Sequence, residues 1–285
     1  YLSIIKKIRP NIKINIIEHD VSFLNLKRSY ELESTHFRKF LSLLRFKIYK
    51  KSEIELLKKC DLITVLNDKD RRLLLSEGFS DENIYTEAPY FQHPDLEKQL
   101  ELKSEKIKNS ILFFGAMWRK ENDESIYQFL VNSFPKILQK NPDVKLFIVG
   151  NKPTDRVKEF NDDKNIFVTG FVEDSSEYFN KCQIFIVPLL LGAGIKIKTL
   201  EALSYGLPVV STTIGIEGID GVYTETEKTC IKTDDFTQFE EEVVNLLQDE
   251  EKCMEMSQKS IEFIIQKYDL EAAVEGLYRR YQDLL

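Results

Sequence analysis

The stretch GAGIKIKTLEALSYGLPVVST, residues 192–212, sets Gly192, Gly194, Lys196, Lys198 and Glu201 close together just ahead of an apolar run. Gly192 and Gly194 carry no Cβ, so backbone there admits a ligand at close range. Lys196 and Lys198 add positive charge. Where such a loop enters a helix, free N–H groups and the positive end of the helix dipole both favour phosphate. Glu201, about one turn further on, offers two oxygens to a pair of sugar hydroxyls. Phosphate and ribose together make a nucleotide. A surface turn with solvated lysines fits these residues as well, and on this stretch alone both readings stay open. The glycines lack the third member of a dinucleotide fingerprint and are not followed by the GKS or GKT of a P-loop, which leaves a dehydrogenase or a P-loop ATPase unsupported.

A second pair lies in IIEHD, where His19 and Asp20 follow a strand-like run. A carboxylate beside an imidazole suits proton transfer from a hydroxyl, or orients the ring. An ordinary loop pair without chemistry is the equal alternative. His36 and His93 have no comparable setting.

The elements that must position these groups alternate. In the first part INIIEHD (14–20), DLITVLN (61–67) and NIYTEAP (83–89) read as strands, with a long helix over 34–59 and a short one whose N-cap is Asp68. In the second, SILFFGA (110–116), VKLFIVGN (144–151), NIFVTGFV (165–172), QIFIVPLL (183–190) and LPVVST (207–212) read as strands. Helices are expected over 122–140 and 174–180, in the quoted stretch, and throughout the chain from about Asp235. Strand, loop and helix in repetition imply parallel strands joined by crossovers in a doubly wound sheet. The polar segment 91–109 reads as an interdomain connection. No fixed-period repeat and no low-complexity tract is present.

Composition bounds the class. The 285 residues are 42% hydrophobic and 31% charged, in the range of globular proteins, and no apolar run approaches the roughly 18 residues of a membrane-spanning helix. The chain begins at Tyr1 rather than Met, so a preceding segment is expected to be missing. Cys60, Cys182, Cys230 and Cys253 are far apart, which argues against a metal cluster and for reduced thiols in a cytosolic protein. With three histidines and no HExxH spacing, no metal site is expected. The net charge of −7 divides into +4 for residues 1–110 and −11 for the rest, a pattern that argues against a nucleic-acid partner. The basic excess gathers in 34–59, where Phe37, Phe40, Leu41, Leu44 and Ile48 recur on one helical face. Two readings remain: a core-packed helix with a solvated basic side, or a peripheral membrane contact.

The second part resembles the donor-binding domain of the group 1 glycosyltransferases (glycosyltransferase family 4). The likeness runs in order through ILFFGAMWRKENDESIYQFL, VKLFIVGNKP, FVTGFVEDSSEYFNKCQIFIVPL and GAGIKIKTLEALSYGLPVVSTTIGIEG, and covers residues 110–285. It implies a GT-B type α/β fold: two Rossmann-like domains with parallel sheets facing a cleft, the amino-terminal one truncated. The expected division is 1–105 for that acceptor-side domain and 106–267 for the nucleotide-sugar domain, with a final helix over 268–285 returning to the first.

By the resemblance, Gly115 leaves room at the end of the first strand, Phe171 and Val172 contact the nucleobase, the Gly192–Lys198 loop cradles the diphosphate and Glu201 holds the ribose. Gly206 and Pro208 stop the helix and start the next strand; Ile214 to Gly218 line the same edge. A histidine placed like His19 approaches the donor sugar, and Asp20 beside it serves the acceptor hydroxyl. The implied reaction moves a sugar from a nucleoside-diphosphate donor to a saccharide or lipid-linked acceptor, with retention and without metal or cofactor. Polysaccharide or glycoconjugate biosynthesis in the cytoplasm, at the inner face of the membrane, is the implied setting. Two departures stand out. Ala193 replaces a glutamate that many members use to position the sugar, and the usual basic pair is matched only loosely by Arg119 and Lys120. A non-catalytic sugar-nucleotide module and a GT-B epimerase are the competing expectations.

Overall fold

The computed structural model describes residues 2–91, 106–224 and 228–284. The connection expected over 91–109 falls, apart from its ends, outside the described residues, as does His93. Two compact units are present. One comprises Tyr1–Tyr90, Leu191–Ile195 and Leu270–Leu285; the other comprises Phe91–Leu190 and Lys196–Asp269.

The first unit is built on a parallel sheet of order β1-β2-β3, from Asn15–Glu18, Leu62–Val65 and Ile84–Thr86. All four residues of β2 are buried, as expected of a strand covered on both faces of a parallel sheet. Helices α1 (Leu2–Ile8), α2 (Ser22–Leu32), α3 (His36–Leu57) and α4 (Asp68–Ser76) accompany it. Val21, Phe23, Leu57, Ile63, Val65, Leu74 and Ile84 form its core. Helix α2 was not expected from the sequence, where SFLNLKRSYEL mixes polar and apolar residues without a clear stripe.

Asp68 is the first helical residue of α4 rather than its cap. Asn67 is the cap, its Oδ1 accepting from the Asp70 N–H at 2.8 Å. The α3 stripe resolves against core packing: Phe37 is 71% and Ile48 69% exposed, while Phe46, Ile54 and Leu57 turn to the core. The closing helix Leu270–Leu284 belongs to this unit, where the Asn15 amide donates to the Tyr281 hydroxyl at 3.0 Å and Arg280 donates to the Glu82 carbonyl at 2.9 Å.

The second unit carries six parallel strands in the order β6-β5-β4-β7-β8-β9: Ser110–Phe114 (β4), Lys145–Val149 (β5), Ile166–Gly170 (β6), Ile184–Val187 (β7), Val209–Ser211 (β8) and Ile231–Lys232 (β9). Its helices are α5 (Lys120–Asn132), α6 (Phe134–Lys140), α7 (Asp155–Lys158), α8 (Ser176–Lys181), α9 (Ile197–Ser204), α10 (Phe236–Gln248) and α11 (Glu250–Lys267). The helix expected over 122–140 is two helices, parted at Ser133: Pro135 has no N–H to donate to the Val131 carbonyl, so it ends the first helix and stands in the first turn of the second. From β4 the chain winds outward through β5 and β6; from β7 it winds the other way through β8 and β9. The order therefore reverses between β4 and β7, and in open parallel sheets ligands bind outside the carboxyl ends of the strands at such a reversal.

Candidate functional site

Both strands at that reversal end in the segments singled out by the sequence. After β4, Gly115 N–H donates to the Val149 carbonyl at 3.0 Å and Met117 N–H to the Asn151 carbonyl at 2.9 Å, so the turn into α5 is pinned to the loop after β5. A Cβ on Gly115 would lie 2.9 Å from Asn122 Nδ2. The space over Gly115 is thus taken by the Asn122 side chain, a physical reason for glycine there that the sequence reading did not contain.

Asn122, 7% exposed in the first turn of α5, donates through Nδ2 to the Ala116 carbonyl at 2.9 Å. Its Oδ1 accepts from Lys198 Nζ at 2.7 Å. Ser125, one turn on, donates to the Glu121 carbonyl at 2.6 Å and accepts from the Leu190 N–H at 3.2 Å, tying α5 to the chain leaving β7.

Lys196 is buried and is the N-cap of α9; its carbonyl accepts from the N–H groups of Thr199 and Leu200 at 2.9 and 3.2 Å. The N–H groups of Ile197 and Lys198, which precede these two, have no carbonyl to meet inside the helix, so the opening of α9 offers them to an anion. Lys198 is half-buried, its ammonium 4.7 Å from the centre of the Phe113 ring. Burial pushes it down to about 7, with the charges of Lys196 and Arg119 acting in the same sense and Glu121 opposing them. Glu201 is half-buried on α9, and burial raises its carboxyl above the usual range. Helix α9 ends at Gly206, whose φ of +64° favours glycine, with Leu207 N–H donating to the Ala202 carbonyl at 2.9 Å. The Thr199 hydroxyl donates to the Gly215 carbonyl at 2.8 Å, which fastens the Ile214–Ile216 turn to the same helix.

Other residues expected here fall as follows. Phe171 follows β6 and is 70% exposed, with Val172 half-buried beside it; the Gly170 φ of +73° turns the chain there. Gly192 and Gly194 lie in the Leu191–Ile195 segment that clusters with the first unit. There Arg28 donates to the Gly192 carbonyl. A Cβ on Gly194 would sit 1.5 Å from Asp20 Oδ1, so this position has no room for any side chain. His19 and Asp20 follow the carboxyl end of β1, His19 exposed and Asp20 half-buried.

Sequence reasoning missed three groups. Asn122 was visible only as a polar residue in the helix start after a strand-ending glycine. Arg28 lies on the unexpected helix α2. Glu18, the last residue of β1, is raised to about 7 by burial and by the charges of Glu53, Asp20 and Asp70; nothing in IIEHD separates it from an ordinary strand-end glutamate.

The second unit's sequence and the fold of the chain have counterparts among known proteins. Residues 108–249 match the family model of glycosyl transferases group 1. An uncharacterised 44.6 kDa protein of the cps region of Klebsiella pneumoniae is 27% identical over 179 residues, 60% of this chain and 45% of that protein. The capsular polysaccharide biosynthesis glycosyltransferase CapM of Staphylococcus aureus is 26% identical over 158 residues, 53% and 41% of the two chains. The chain thus spans less than half the length of these relatives. Anabaena Alr3699/HepE in complex with UDP and glucose superposes with a TM-score of 0.71 at 12% identity, covering 98% of this chain and 74% of that one. At that identity the likeness shows the GT-B type of fold alone. Through residues 108–249, the chain belongs to the group 1 glycosyltransferases.

Proposed function

We propose that the chain transfers a sugar from a nucleoside-diphosphate donor to an acceptor hydroxyl. The carrying observation is the placement of Lys196, Lys198 and Glu201 within the opening turns of α9, at the reversal of the second unit's sheet. In this reading the donors at the start of α9 and the two lysines hold the diphosphate, and Glu201 accepts from the ribose hydroxyls. Phe171 and Val172 meet the base. As the glycosidic bond to the diphosphate breaks, negative charge grows on the leaving oxygen, and fixed cations stabilise that charge more than the ground state. Lysines can do this without a metal, and metal independence with retention is part of the proposal.

HepE's complex with UDP and glucose makes a UDP-sugar the first donor to test, and CapM makes capsular polysaccharide the first product class. His19 and Asp20 are assigned to the sugar and the acceptor hydroxyl, and Ala193 leaves the sugar to be held by other groups than the family's glutamate. The exposed apolar face of α3, flanked by Arg38, Lys39, Arg45, Lys47 and Lys51, supports a lipid-linked acceptor reached at an anionic bilayer surface. No helix among the described residues is long and apolar enough to cross a membrane.

The test is incorporation of radiolabelled sugar from a panel of UDP-, GDP-, ADP- and CMP-sugars into membrane-extractable or polymeric product. Incorporation from one donor, abolished by Glu201→Ala, supports the transferase. Selective nucleotide binding without incorporation from any donor favours the non-catalytic module.

A further inference from the structure

Lys198 approaches its task with its head already held by a neutral partner. The Asn122 amide can sit only one way round, because Nδ2 must face the Ala116 carbonyl and Oδ1 must face the Lys198 ammonium. One side chain thereby joins the turn after β4 to the second residue of α9. Gly115 beneath it leaves the amide the space it needs. We propose that Asn122 is the positioning residue of the diphosphate site, fixing the Lys198 head on α9 without cancelling its charge.

The choice of amide over carboxylate is what the function demands. An aspartate at 122 would turn an acceptor toward the Ala116 carbonyl, where a donor is required. It would also pair with Lys198 and compete with the phosphate for it. Asparagine supplies the same reach with no net charge, so the ammonium keeps its attraction for an anion. The charged groups that act on Lys198 are Lys196 on the same segment, and Arg119 and Glu121 beside Asn122. Lys196 and Arg119 repel its proton and Glu121 holds it; the Phe113 ring from β4 completes the surroundings. A site so arranged binds a proton together with its anion.

This inference rests on the donor-site reading, and the test separates the two. Lys198 is titrated by NMR in chain carrying ¹³C-labelled lysine, for wild type and Asn122→Asp, each shown to be folded by circular dichroism. The aspartate variant is expected to move the Lys198 titration upward by about one pH unit or more. UDP and uridine are then titrated calorimetrically into wild type and Asn122→Ala. The alanine variant is expected to lose about tenfold in UDP affinity, with uridine binding unchanged because the nucleoside has no phosphate to present. A merely structural role would weaken both ligands alike. Equal losses for UDP and uridine, or a Lys198 titration unmoved by the aspartate, would overturn the positioning role while wild-type UDP binding preserved the donor site. Where GDP, ADP or CMP binds in place of UDP, that nucleotide and its nucleoside take the same two roles in the test; failure of folded wild type to bind any of the four would overturn the donor site and the phosphate-holding role with it.

Discussion

Lys198 is a lysine whose surroundings oppose its charge, and that fixes how the site responds to pH. Its folded-state value is near 7, below the ordinary lysine value of 10.5. Above pH 7 Lys198 is increasingly neutral in the free site, and a diphosphate must draw its proton back to be held by it. UDP affinity is therefore expected to fall as pH rises above 7, by up to about tenfold per unit, until the bound-state value of Lys198 is reached. Calorimetry at pH 8 in buffers of different ionisation enthalpy should show proton uptake on binding, and Lys198→Met should abolish both effects. A flat affinity from pH 6 to 9 would mean that Lys198 does not meet the anion. The residue types of this site were legible because glycine, lysine and glutamate announce themselves by spacing. Asn122 was not, since its role depends on a partner 76 positions away that only folding brings near.

At the scale of elements, the alternating apolar runs and punctuating glycines were enough to give parallel strands and crossovers. Buried strands such as IFIV and LITV read as continuous hydrophobic runs, which is how strands covered on both faces must look. Helix α2 and the two-residue β9 escaped for opposite reasons, one lacking a clean stripe and the other being too short to carry a pattern. The Asp68 expectation missed by one residue because Asn and Asp are near-equal caps, and the sequence NDKD offers both. Asn67→Ala should cost about 1 kcal/mol through the lost cap, and more if the buried Asp70 carboxylate also misses the Asn67 Nδ2 donor 2.8 Å away. Urea denaturation would read this as a lower midpoint at unchanged slope. Gly194 is the stricter position. At φ +69°, and with Asp20 Oδ1 1.5 Å from where a Cβ would stand, Gly194→Ala must both strain the backbone and displace Asp20. A loss on the order of 1–3 kcal/mol is expected, seen as a melting temperature lower by a few degrees. An unchanged melting curve would show that this loop adopts another conformation.

For the whole molecule, the division of charge acquires meaning from where the basic residues lie. The first part's excess gathers on α3, beside apolar side chains that the fold leaves in solvent, whereas the acidic second part carries the candidate donor residues. The periodicity of α3 was plain in the sequence, but periodicity cannot say whether a stripe meets a core or a bilayer; exposure decided against the core. Phe40→Ser with Ile48→Ser should reduce co-sedimentation with anionic vesicles severalfold and leave UDP binding intact, and binding that persists in 1 M salt would indicate an apolar rather than an electrostatic attachment. The central claim, that the start of α9 is a diphosphate and ribose site, is tested most directly by calorimetric titration of the chain with UDP, GDP, ADP and CMP alongside Lys196→Ala and Glu201→Ala. One diphosphate should bind selectively, and each substitution should weaken it by at least about tenfold, the scale of one charged hydrogen bond. Binding that survives both substitutions unchanged, or no binding by any of the four to folded chain, would contradict the account.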